Sequence, residues 1–134
     1  MDFAVDEITR DYTTRTRAFL DVHVLPAEPR LEAELAAAPG EWGPRPVVRE
    51  LQTVAQAAGL WNLFLPGVRG AGLTNLQYAP IAEVTGWSPR LAPAALNCAA
   101  PDTGNMEVLN EFGTTEQQER WLEPLLRARI RSAF

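Results

Sequence analysis

Apolar residues along the chain recur mainly at helical spacings. Asp6 is placed to cap a helix whose positions Ile8, Tyr12, Phe19 and Val22 suit the 3.6-residue period, with Pro26 ending it. Residues Pro29 to Ala38, rich in Glu, Ala and Leu, predict a second, shorter helical stretch that reads as a connection, closed by Pro39-Gly40 and Glu41-Trp42-Gly43-Pro44. From Pro46 a third helix carries Val47, Leu51, Val54, Ala55 and Ala58 on one side, and Gly59 falls where a left-handed C-terminal cap is wanted. Leu60 to Pro66 is dense in apolar residues and bounded by proline, which predicts an extended buried segment leading into a loop with Gly67, Gly70 and Gly72.

The second half repeats this grammar. Thr74 caps a helix over Asn75 to Thr85, kinked at Pro80 and closed by Gly86. Ser88-Pro89 starts a short helix that Pro93 complicates. Asp102 or Thr103 caps a further helix with Met106, Leu109 and Phe112 on one stripe and Gly113 at its end. The last helix shows a capping box, Thr115 with Gln118, and an apolar stripe of Trp121, Leu122, Leu125 and Leu126 that Pro124 bends. No stretch alternates convincingly, so the fold class is all-α, an irregular bundle of about five to seven helices in one domain.

Composition narrows the chemistry. The 134 residues are 46% hydrophobic and 22% charged with net charge -5, the profile of a globular domain and a poor match to nucleic acid as main partner. Every basic side chain is arginine, and the Arg127, Arg129, Arg131 cluster reads as a solvated face rather than a phosphate site. The single cysteine, Cys98, excludes an internal disulfide and, among small apolar neighbours, reads as a buried inert thiol. His23 has no second histidine with which to build a metal site or a triad. The glycine loop lacks the lysine and Ser/Thr of a phosphate loop and the spacing of a dinucleotide fingerprint, so it reads as a plain turn. No run has the length of a membrane span and the N-terminus lacks the marks of a signal peptide; the expected location is cytoplasmic.

An ordered run of motifs goes further than periodicity. Gly59 to Pro66, then Gly72-Leu73-Thr74-Asn75-Leu76-Gln77-Tyr78-Ala79-Pro80, then Ala82-Glu83, resembles the middle of the N-terminal helical domain of flavin-dependent acyl-CoA dehydrogenases. Asn97 to Leu109 is similar to a segment of the long-chain-type branch, and Gly113 to Leu126 followed by Ile130 to Phe134 resembles the last helix and exit of that domain. The chain departs from the family pattern at Trp87-Ser88-Pro89, and at Ala128, which stands where a glycine often closes the last helix.

The resemblance implies α,β-dehydrogenation of acyl-CoA thioesters. A glutamate takes the α proton, the ring of FAD takes hydride from the β carbon, and the electrons pass to an electron-transfer flavoprotein. Homo-oligomeric assembly is implied as well. By the same resemblance the β-sheet flavin domain and the C-terminal helical domain with the base would lie beyond Phe134, and no catalytic residue is expected within this chain. Among its acids, Glu83, Asp102, Glu107 and Glu111 are weighed as bases and read by default as capping or surface groups. The segment holding Asn97, Asp102, Thr103 and Met106 is implied to approach the deep end of the acyl pocket, with interhelical packing as its rival. A stand-alone helical interaction module, or a subunit complemented by a separate catalytic half, remains as the alternative.

Overall fold

The computed structural model describes residues 4–41 and 43–133. Trp42 of the predicted turn and Phe134 of the exit motif lie outside the described residues. Eight α segments run in order: α1 (Glu7–Phe19), α2 (Glu28–Ala37), α3 (Pro46–Ala57), α4 (Asn75–Thr85), α5 (Ala92–Ala95), α6 (Asp102–Phe112), α7 (Thr115–Gln117) and α8 (Glu123–Leu126). No strand occurs among the described residues, in keeping with the all-α expectation.

Helix α1 starts where expected: the Asp6 carboxylate accepts the Thr9 amide at 2.7 Å and also the Gln77 side chain at 2.7 Å, tying the heads of α1 and α4 together. That backbone bond, then Gln77, holds the Asp6 carboxyl below its ordinary value. The buried face matches the predicted one only in part, at Phe19 and at the partly buried Tyr12. Thr9, Thr16 and Phe19 turn inward while Ile8 and Val22 are exposed, because small Thr side chains allow α1 to lie close against α4. Pro26 does not end the helix either. A π turn (Leu20–Val24) and a 3-10 turn (Leu25–Ala27) carry the chain into α2, so the proline's missing donor is absorbed by changed pairing. Thr115 to Leu126 solves Pro124 in the same way: a π turn (Gln118–Leu122) joins α7 to α8 in one rod.

Helix α3 buries Val47, Val48, Leu51, Gln52 and Ala55, and leaves Val54 and Ala58 outside. Leu60 to Pro66 is buried as expected at Leu60, Leu63, Phe64 and Leu65, but it coils through turns instead of extending. Pro93 sits in the first turn of α5 and so opens that helix rather than disturbing it. Gly70 needs its missing side chain for space, since a Cβ there would lie 1.9 Å from the Leu65 carbonyl oxygen; the loop is a tight crossing of backbones.

Three helices end alike. Gly59 donates to Gln56 O and Leu60 to Ala55 O; Asn97 donates to Ala94 O and Cys98 to Pro93 O; Ala128 donates to Leu125 O and Arg129 to Pro124 O. Each cap needs a left-handed residue, and φ is 66° at Gly59, 55° at Asn97 and 50° at Ala128. Ala128, which stands where a glycine often closes the last helix, thus holds a conformation that costs a non-glycine residue energy.

The apolar interior has two parts. One gathers Phe19, Leu20, Val47, Leu51, Leu91 and their neighbours; the other gathers Phe64, Leu65, Met106, Leu122, Leu125 and Leu126. Tyr78 and Cys98 pack against both.

Candidate functional site

Between α4 and α6 runs an open groove of about 360 Å³. Asn75, Tyr78, Ala82 and Thr85 line it from one face of α4, at spacings of three and four that bring residues onto one side of a helix. Thr103, Gly104 and Glu107 line it from the first turns of α6, with Phe64 and Cys98 completing the floor. Ala82 and Gly104 leave the room, and Tyr78 and Cys98 give the floor its chemistry. The Tyr78 hydroxyl and the Cys98 thiol both belong to this lining. Burial pushes the Cys98 thiol up to about 11, and burial, then Cys98, then Glu107 push the Tyr78 phenol above its ordinary value. Both groups are therefore neutral at pH 7. Cys98 is only partly buried, where its sequence neighbours suggested a buried thiol, and its raised value disfavours the reactive thiolate.

Charge separates possible occupants. Among the described residues no arginine lines the groove, and its one acid is Glu107. Phosphate and pyrophosphate groups are held chiefly by cations; with none here, and with Glu107 beside the first turn of α6, this groove fits a group without negative charge. The anionic backbone of FAD is not matched by these residues.

Residues 6–129 match the family model described as acyl-CoA dehydrogenase, N-terminal domain. The chain belongs to the acyl-CoA dehydrogenase family. The probable acyl-CoA dehydrogenase FadE2 of Mycobacterium tuberculosis is 53% identical over 135 residues, covering 100% of this chain and 33% of that protein. Acyl-CoA dehydrogenase family member 11 of Homo sapiens is 45% identical over 123 residues, 90% of this chain and 15% of that one. A candidate acyl-CoA dehydrogenase of known structure from Mycobacterium abscessus superposes with a TM-score of 0.84 at 44% identity, over 96% of this chain and 33% of the other. The chain thus spans about a third of the length of these mycobacterial relatives and less than a fifth of the human one.

Within this acyl-CoA dehydrogenase domain the four residues assigned to the acyl pocket separate. Thr103 lines the groove. Met106 is 0% exposed and points into the second part of the core. Asn97 ends α5 and donates to Asn62 Oδ1 at 2.7 Å and to Leu125 O at 3.1 Å. Around it, Trp61 Nε1 (2.8 Å) and Asn62 Nδ2 (3.0 Å) donate to Leu126 O, so the orphan carbonyls at the end of α8 are satisfied by side chains. Asp102 caps nothing, and neither does Thr103: Pro101 occupies the cap position without a side-chain bond. The Asp102 carboxylate instead holds Arg131 and Ser132.

Of the other acids, Glu83, Glu107 and Glu111 are exposed, and only Glu107 faces this groove. Phe112, expected on the Met106 stripe, is 74% exposed, and Leu109 is half-buried. The capping box lies one residue earlier than expected, with Thr114 and Gln117 as its members. Gln118 is engaged elsewhere, donating to the carbonyls of Leu109, Asn110 and Gly113 at the end of α6. Trp121 is exposed, with Arg120 stacked over its ring. Phe64 is buried with its segment, whereas Trp87 is half exposed beneath Arg17. His23 is exposed and lies against the Phe19 ring. No helix among the described residues is long and apolar enough to cross a membrane. The α4 face of the groove escaped sequence reasoning because Asn, Tyr, Ala and Thr form no apolar stripe; their common spacing was the available signal.

Proposed function

We propose that this chain supplies the N-terminal helical wall of the acyl site in an FAD-dependent acyl-CoA dehydrogenase, with the acyl group lying along the groove between α4 and α6. The match of the family model over residues 6–129 carries this reading. The groove supports it chemically, since Phe64, Tyr78, Ala82 and Cys98 offer apolar surface along it, with Asn75, Thr85, Thr103 and the Glu107 carboxylate as its polar edge. When bound elsewhere in the enzyme, FAD supplies the hydride acceptor. This chain's residues exclude water from one side of the acyl group and orient it. The pyrophosphate cradle and the base belong to a flavin sheet domain and a C-terminal helical domain outside this chain, and electron-transfer flavoprotein is the acceptor.

The natural gene should be expressed to its own stop codon, beside the 134-residue chain alone. The gene product should retain stoichiometric FAD and reduce an artificial acceptor when acyl-CoA is added, and the chain alone should do neither. Turnover and retained flavin in the chain alone would overturn the division of labour. A gene product ending at Phe134 without flavin would favour a helical interaction module or a complementing subunit.

A further inference from the structure

Asp102 is the first residue of α6 and is 2% exposed, an unusual depth for a carboxylate. Both of its oxygens are spent on a segment thirty residues later in the chain. Oδ2 lies 2.6 Å from Arg131 Nε, and Oδ1 accepts the Ser132 amide and hydroxyl, each at 2.7 Å. Asn105, one turn further along α6, donates its Nδ2 to the Ser132 hydroxyl at 2.8 Å, so the exit segment is gripped from two positions of one helix. Stability alone does not require this. Only the carboxylate is buried, the Arg131 side chain being 37% exposed; a desolvated carboxylate recovers its cost only when fully hydrogen bonded, and an apolar residue of similar volume does as well. What a charged, directional clamp adds is register. Immediately next to Asp102 in the chain stand Thr103 and Gly104, with Glu107 one turn on, and these three form the α6 wall of the groove.

We propose that Asp102, with Arg131 and Ser132, is a positioning device that locks the exit of this domain to the first turn of α6, so that the acyl groove and the structure following Ser132 keep one relative placement. This rests on the reading of the groove as an acyl site. Asp102 touches no substrate; it acts through Thr103, Gly104 and the exit segment. Displacing a reacting group by about 1 Å costs on the order of 100-fold in rate, so a loosened clamp should be read in the reaction before it is read in the fold.

Two arms test the device. Asp102→Asn keeps the shape and the acceptor facing Ser132 but removes the charge facing Arg131. In the 134-residue chain, hydrogen exchange at the Ser132 amide should quicken about tenfold or more, as a charge-assisted bond becomes a neutral one, with α1 to α3 unchanged. In the product of the natural gene, flavin reduction by acyl-CoA should slow on the order of tenfold at a temperature where both proteins are folded, with flavin content unchanged. Glu50→Gln, which breaks the surface pair with Arg30, should leave that rate alone. Should Asp102→Asn fail to fold, Arg131→Gln carries the same two readouts. Exchange that does not change, or exchange that quickens while flavin reduction does not slow, overturns the proposal. A wild-type product that holds flavin yet is reduced by no acyl-CoA overturns the acyl-site reading instead, and the catalytic part of this role falls with it, while the exchange arm still decides whether the clamp exists.

Discussion

Met106→Ala probes the second part of the core most directly. The side chain is 0% exposed and packs with Phe64, Leu65, Leu122, Leu125 and Leu126, so truncation removes three buried heavy atoms where several elements meet. Their transfer to water accounts for about 2 kcal/mol. If the neighbours do not collapse, a void of about 70 Å³ adds up to about 1.7 kcal/mol, for a total of about 2 to 4 kcal/mol. For a domain of this size, about 3 kcal/mol corresponds to a fall in Tm of about 10 °C. Urea titrations followed by far-ultraviolet circular dichroism and by tryptophan fluorescence should agree, because the Trp61 ring nitrogen is bonded to Leu126 O beside this cluster. Phe112→Ala is the matched control. Lying 74% exposed on the same helix, it should change stability by no more than about 0.5 kcal/mol, whereas a single Met106, Leu109, Phe112 stripe would make both substitutions costly. An unchanged midpoint for Met106→Ala, or equal losses at both sites, would refute the placement.

Thr114→Ala should cost about 1 kcal/mol in chemical denaturation and Thr115→Ala much less, since the Thr114 hydroxyl accepts the Gln117 amide; the reverse order would return the capping box to the later position. Ala128→Gly should leave the denaturation midpoint unchanged or raise it by up to about 1 kcal/mol, because φ of 50° suits glycine, and a marked fall would mean that the methyl group's packing outweighs the backbone strain. Cys98, raised from 9.0 to about 11 by burial, should be alkylated at pH 8 about 100-fold more slowly in the native chain than in the unfolded one, and equal rates would show the thiol to be exposed. Its raised value also favours the native state fully below pH 9.0, a contribution lost as pH climbs through about 11, so Cys98→Ala should flatten the alkaline fall of stability in that window.

Much of the plan follows from local chemistry and is legible without coordinates. Asp6 and Thr74 cap their helices, Gly59 closes α3 in the left-handed conformation, and Ala128 takes the strained form of the same cap, because a cap depends on a few neighbouring residues and on φ alone. The family resemblance was likewise carried by contiguous motifs. The inward faces of α1 and α6 were legible only at Phe19 and Met106. Hydrophobicity marks Ile8, Val22 and Phe112, but close approach of α1 to α4 selects Thr9 and Thr16 instead, and α6 presents only its Met106 side to the core. Prolines could be located but not interpreted: Pro26 and Pro124 follow π turns that keep their rods continuous, an outcome decided by what those rods pack against. The roles of Asn97 and Asp102 belong to the tertiary structure for the same reason. Each is polar and buried, so each must find partners, and those partners, the last carbonyls of α8 for Asn97 and Arg131 with Ser132 for Asp102, lie about thirty residues away, where only the folded chain brings them within hydrogen-bond distance.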